Sequence, residues 1–331
     1  MATKLEISEL DFDGIKANLK NFLSQQDEFR DYDFEGSGMS VLIDMLAYNT
    51  HYLGFNANML ANEMFLDSAD LRASVVSKAK QVGYTPTSST ASSAIVDVTV
   101  NNATGATLTM TRGTKFSTTV DGTSYNFVNN ADLTITPVDG VYKFSNVDIF
   151  EGTYLNFKYT VNTSDIDQRF IIPNDNVDTN TLTVKVQESS SDSTTNTYTL
   201  ATGITGLDST SKVFFLQEVE NGRYEVTFGD GVLGKAVADG NIIITDYINT
   251  NTTEANSATT FTLNGSIGGF SNATVTTVSD AGGGSLPESI TSIKYNAPRD
   301  YTAQDRAVTA DDYKVLVKSL YANAQAVQVY G

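Results

Sequence analysis

Three stretches carry residue types that could do chemistry. Asp31-Tyr-Asp33-Phe-Glu35-Gly36 opens with the alternating carboxylates of an EF-hand loop, whose ligand would be calcium. Such a loop needs a bidentate carboxylate at its twelfth position. That position is Leu42, and the ninth is Met39, so the stretch reads as a turn between helices, eased by Gly36 and Gly38. Glu218, Glu225 and Asp230 could supply the carboxylate pair of a glycosidase. Sequence spacing does not set their separation, and Asp230 lies in Phe228-Gly229-Asp230-Gly231, the composition of a strand end and tight turn. Gly282-Gly-Gly-Ser lacks the lysine and following hydroxyl residue of a phosphate-binding loop and reads as a flexible joint. The one histidine, His51, sits inside a helical pattern, where packing or an interface is its expected role. There is no cysteine, which excludes disulfides, thiolate metal sites and thiol nucleophiles. The inventory points to no enzyme, no cofactor and no metal site.

The elements that would have to position such groups fall into three zones. Residues 1–86 read as helical. Phe12, Ile15, Leu19, Phe22 and Leu23 recur at steps of three and four, the spacing of one helix face. A second helix is expected over about 39–65. It carries Val41, Leu42, Met45, Leu46, Tyr48, Tyr52, Phe55, Met59, Leu60 and Met64, and is apolar nearly all round. Such a helix is central to a domain or packs on other chains. A third is expected to start at an Asp67 or Ser68 cap and to stop at Gly83.

Residues 87–290 read as β, with two subdomains expected. Short alternating runs, punctuated by Asn, Asp and Gly, occur at 94–100, 107–111, 115–120, 124–128, 154–161, 181–187, 212–218, 224–228 and 241–247. This spacing indicates sandwich-like or barrel-like domains, with residues 188–197 as an exposed loop. Residues 291–331 turn mixed α/β. Thr309-Ala-Asp-Asp312 reads as a capping box that opens a helix carrying Tyr313, Leu316, Val317 and Leu320, followed by a strand over Ala326–Tyr330. That last zone looks truncated, and few contacts are expected between it and residues 1–290. The fold class is therefore α+β and multidomain: a helical head, central all-β domains and a mixed tail.

Composition bounds the partners. Apolar residues are 40% of the 331, enough to build a core, and the formal charge is −18. An acidic surface repels phosphate backbones and anionic membranes, so neither nucleic acid nor membrane is an expected partner. The N-terminus has no apolar run of signal-peptide length, and no run is long enough to span a bilayer.

Three segments carry a resemblance. The block from Phe12 to Pro86, FDGIKANLKNFLSQQDEFRDYDFEGSGMSVLIDMLAYNTHYLGFNANMLANEMFLDSADLRASVVSKAKQVGYTP, resembles the start of the baseplate wedge proteins of T-even-type contractile-tailed phages. Glu225–Lys235 (EVTFGDGVLGK) and Ala297–Tyr321 resemble the baseplate-J-like family. The resemblance implies a structural virion protein of the tail baseplate, assembled in the host cytoplasm. It implies homodimer-like pairing with a second copy, contact with other wedge proteins through a helical bundle, and a ring of neighbouring wedges. Residues 1–86 then become an assembly region. Phe12, Ile15, Leu19, Phe22, Leu42, Leu46, Phe55 and Met59 are its candidate interface residues. Phe228, Gly229, Asp230 and Gly231 form a structural turn. The Thr/Asn-rich strands leave one alternative, a receptor- or glycan-binding tail module, which would need exposed aromatic platforms in the β zone. A cell-wall-degrading tail enzyme is held back by the missing catalytic set.

Overall fold

The computed structural model describes residues 11–26, 28, 36–201, 203–303, 306–320 and 326–330. The calcium-like Asp31–Glu35 stretch lies outside these residues. The chain divides into two units. One holds the residues up to Gly83 with Ile290–Pro298, and the other holds Tyr84–Ser289 with the residues from Arg299 on.

The first unit contains α1 (Phe12–Leu23), α2 (Gly38–Glu63), α3 (Arg72–Gln81) and the first part of α4 (Ile290–Ala303). Asp11 caps α1, its carboxylate accepting from the Asp13 and Gly14 amides at 3.3 and 3.0 Å. The Ser37 hydroxyl caps α2 by accepting from Ser40 N at 3.1 Å. The third helix starts later than its sequence suggests. Ser68 donates its hydroxyl to Asn62 O at 2.7 Å, and α3 begins at Arg72 with no side-chain cap from Leu71. The Glu63 carboxylate, at the end of α2, instead accepts from the Asp70 and Leu71 amides just ahead of α3. Gly83 ends the segment at φ +82°, which glycine adopts without strain. In α4, Ile293 and Ala297 are fully buried and Lys294 Nζ donates to Asp67 O at 3.0 Å. The expectation of few contacts before residue 291 therefore fails for this helix, because its apolar face is already covered.

The second unit is mostly β. Its first sheet has six antiparallel strands in the order β14-β3-β4-β6-β1-β15. These are β14 (Thr262–Asn264), β3 (Lys115–Val120), β4 (Thr123–Asn129), β6 (Tyr142–Glu151), β1 (Ser93–Val100) and β15 (Ala273–Gly282). The small pair β2 (Leu108–Met110) and β5 (Leu133–Ile135) lies beside it in sequence. The second sheet runs β7-β13-β9-β10-β11-β12-β8. Its strands are β7 (Thr153–Thr160), β13 (Ile242–Asn249), β9 (Val177–Ser189), β10 (Asp192–Leu200), β11 (Val213–Glu218), β12 (Tyr224–Phe228) and β8 (Phe170–Ile171). Among the described residues, only β10 and β11 pair in parallel.

Each sheet has its own apolar core. One is built from buried residues between Ala94 and Ile149 together with Ala255 to Ala281, and the other from Val161 to Tyr247. The second core is thus inserted into the first. Strict alternation explains β1, whose Ala94, Val96, Val98 and Val100 point inward between half-exposed neighbours. Phe127, Tyr142 and Phe144 are core residues as well.

Two sequence expectations are corrected here. Residues 188–197 are not a loop: they form the turn end of the hairpin between β9 and β10, with Asp192 opposite Ser189 and Thr195 opposite Gln187. Ladder pairing stabilises this exposed hairpin without an apolar face, so no alternation marks it. The Gly282–Ser285 joint is not flexible. Gly284 N donates to Asn256 Oδ1 at 2.9 Å, its carbonyl accepts from Asn256 Nδ2 at 3.0 Å, and Ser285 bridges to Thr90. A Cβ on Gly284 would overlap Thr252 O and Ser92 Oγ, so glycine is required there for close approach.

At the C-terminal end, α5 spans Ala310–Leu320. Thr309 Oγ1 accepts from Asp312 N at 3.2 Å, and the Asp312 carboxylate in turn accepts from Thr309 N at 2.7 Å. The Thr309 amide, with the Thr309 hydroxyl and the Val308 amide, holds Asp312 below the usual carboxylate range. Thr309→Ala is expected to cost about 1 kcal/mol of helix stability, read as faster amide exchange in the first turn of α5. Tyr313 and Val317 are exposed and Leu316 is half-buried; the Leu320 side chain lies outside the described residues. Residues 326–330, read from the sequence as a strand, carry no ladder: no described strand pairs with them, and a strand exists only by pairing.

Candidate assembly interface

Helix α2 is built inside out. Ser40, Ile43, Ala47, Asn58 and Ala61 are buried, and His51 and Gly54 fill the same row half-buried. Their steps of three and four define one face. All but Ile43 and His51 are small or polar, so neighbouring backbone can come close on that side. The large apolar side chains point the other way. Val41 is 64% exposed and Leu60 69%, and Met45, Tyr48, Tyr52, Leu53 and Met64 are also exposed. Tyr48 and Tyr52 stack on each other at 6.4 Å, adding a flat aromatic step to this surface.

The candidate residues separate into two groups. Leu42, Leu46, Phe55 and Met59 all lie on the exposed side of α2. On α1, which packs against α2, Phe22 is exposed, whereas Phe12, Ile15 and Leu19 are half-buried. Lys16 and Asp44 tie the two helices with an ion pair of 2.5 Å. Val41, Met45, Tyr48, Tyr52, Leu53 and Leu60, which are not among the candidate residues, are exposed on the same helix. Their helical register opposite the small residues was the signal that could have found them. Monomeric proteins rarely expose an apolar patch of more than a few hundred Å², and this one runs along the length of a 26-residue helix.

Comparison with known proteins gives this helical region a likeness. The helical domain of the baseplate wedge protein gp6-like family matches residues 11–84. Residues 11–84 are thus similar to a baseplate wedge helical domain. The likeness extends beyond it: baseplate wedge protein gp6 of Enterobacteria phage T4 is 31% identical over an alignment of 349 positions, taking in 96% of this chain and 51% of that protein. The chain therefore spans about half the length of this curated relative.

Outside residues 11–84, the carboxylates that could serve catalysis are engaged in structure. Phe228 ends β12, and Asp230 folds the chain back by accepting from the Val232 and Leu233 amides, both at 2.9 Å. Those amides hold the Asp230 carboxyl below its ordinary range. Gly231, at φ +88°, donates to Gly234 O at 3.1 Å, and a Cβ on Gly229 would run into the Gly234 backbone. Gly231→Val is expected to lower the unfolding free energy by about 1–3 kcal/mol, measured by urea denaturation, because a β-branched residue is strained at this angle. Glu225 is held by Arg169 in a two-pronged ion pair of 2.9 and 3.0 Å and by Gln217 at 2.7 Å. Among the described residues, no group of three or more His, Asp or Glu could hold a metal ion.

Proposed function

We propose that this chain is a structural subunit of a contractile phage tail baseplate, working in the wedge through protein–protein contacts. The observation that carries the reading is the inverted α2, with small residues inside and a broad apolar surface outside. Burying such a surface stabilises association by roughly 25 cal/mol per Å² before the costs of ordering. A second copy and helices of another wedge protein are the occupants the reading names, in a bundle of apolar helix faces. Neighbouring wedges in a ring complete the partner set. The T4 relative named above, a baseplate wedge protein, supports the setting. A charge of −18 keeps unassembled subunits apart and soluble until a matching face is met. The place of action is the virion tail, after assembly in the host cytoplasm.

Immunogold labelling of purified tails with an antibody against the β cores tests this. Label confined to the baseplate is the expected result. Label along the tube or on the fibres would remove the assignment.

A further inference from the structure

The two β cores form separate apolar clusters; where they meet, at one end of the inserted sheet, the Tyr154 ring lies beside Gly113 and the other contacts include a set of directional polar ones. The chain enters the inserted core at Glu151–Gly152 and leaves it at Thr250. Glu151, 1% exposed, spans both crossings: it accepts from Thr250 Oγ1 at 2.7 Å and from the Asn251 amide and side chain at 2.8 Å each. Just beyond, Thr252 sits at φ +64°, a conformation rare for a β-branched residue. The lead-in to β1 touches the inserted core in the same polar way, Ala91 N donating to Asp178 at 2.9 Å.

Arg112 is a long side chain that reaches across. It belongs to the turn after β2 and is anchored there by Asn130, with Nε at 3.0 Å from Oδ1. Its far end donates to Thr181 O at 2.9 Å, faces the buried Asp246 at 3.6 Å, and lies 5.0 Å over the Tyr154 ring. All three partners belong to the inserted core. A planar guanidinium with a fixed fork of donors fixes direction as well as distance.

We propose that this junction is a built-in hinge between the two β cores, and that Arg112 sets its angle. Apolar burial resists sliding without choosing one orientation, whereas a short set of directional polar contacts chooses one and releases it when a single member is removed. Hinges of this kind rest on a few residues at element ends. Lys185 Nζ lies 3.2 Å from Asp246, so the carboxylate keeps a partner when Arg112 is removed.

The chain has no cysteine, so two can be introduced for clean spin labelling. Thr123→Cys on the host core and Ser193→Cys on the inserted core are both exposed. Pulsed electron–electron resonance on the full chain should give one narrow distance distribution in this background. Adding Arg112→Ala should at least double its width. Asp246→Asn should broaden it similarly, with little further change in the double variant, as coupled residues require. Amide exchange at Val98 and Val186, inside the two cores, should stay slow. An unchanged width in Arg112→Ala would overturn the proposal. So would broadening accompanied by lost protection at both valines, because Arg112 would then hold the fold and not the angle.

Discussion

Leu46→Asp and Phe55→Asp are expected to abolish self- and cross-association while the chain stays folded. Both side chains are 52% exposed in the isolated chain, so a carboxylate at either site keeps its hydration there. In the assembled bundle the same carboxylate would be buried without a partner, at a cost of roughly 3–5 kcal/mol. Every 1.4 kcal/mol is tenfold in affinity, so binding should fall by about two to four orders of magnitude. Sedimentation velocity reads the association, and circular dichroism confirms that the helices persist. A folded variant that assembles with parental affinity would move the interface off this face of α2.

Phe127→Ala should have the largest effect on stability, about 3–5 kcal/mol. Phe127 is fully buried on β4 and meets Phe261 edge-on, with ring centroids 4.9 Å apart. Phe261 comes from the chain returning after the inserted core. The contact therefore joins two segments of the host core that more than a hundred residues separate, and the cavity would open where they meet. Chemical denaturation gives the number. A loss below about 1 kcal/mol would mean that neighbouring side chains close the cavity.

What the sequence made legible follows from how local each signal is. The helix Phe12–Leu23 and the alternating run at Ala94–Val100 announce themselves by period, and both lie where that period puts them. β15 was not legible, because ATVTTVSDAG has weak alternation and becomes a strand by pairing with β1 far upstream. The polar hairpin through Ser189–Asp192 is held by a ladder and has no apolar pattern to detect. Gly284 shows the same limit from another side, since three glycines in a row suggest freedom until a tertiary neighbour fills the missing side chain's place. In α2 the apolar residues were visible, but which arc the chain itself would bury was not. That choice depended on the size of Ser40, Ala47 and Ala61, which a hydrophobic pattern does not weigh.

The nesting of one β core inside the other also sets an order of events during synthesis. The inserted sheet has all its strands once Asn249 is made, whereas the host sheet must wait for Gly282. At about 5–20 residues per second, the guest can close a few seconds before its host. In that interval β1 is an uncovered edge, because its later neighbour β15 is still being translated. Open edges of this kind invite pairing with other chains. The vulnerable interval for this protein is therefore the synthesis of residues 250–282, with one core finished and the other held open around it. Ribosome-bound chains stalled after Asn249 should show a protease-resistant inserted core beside a cleavable host, and equal resistance of both would exclude this sequence of events.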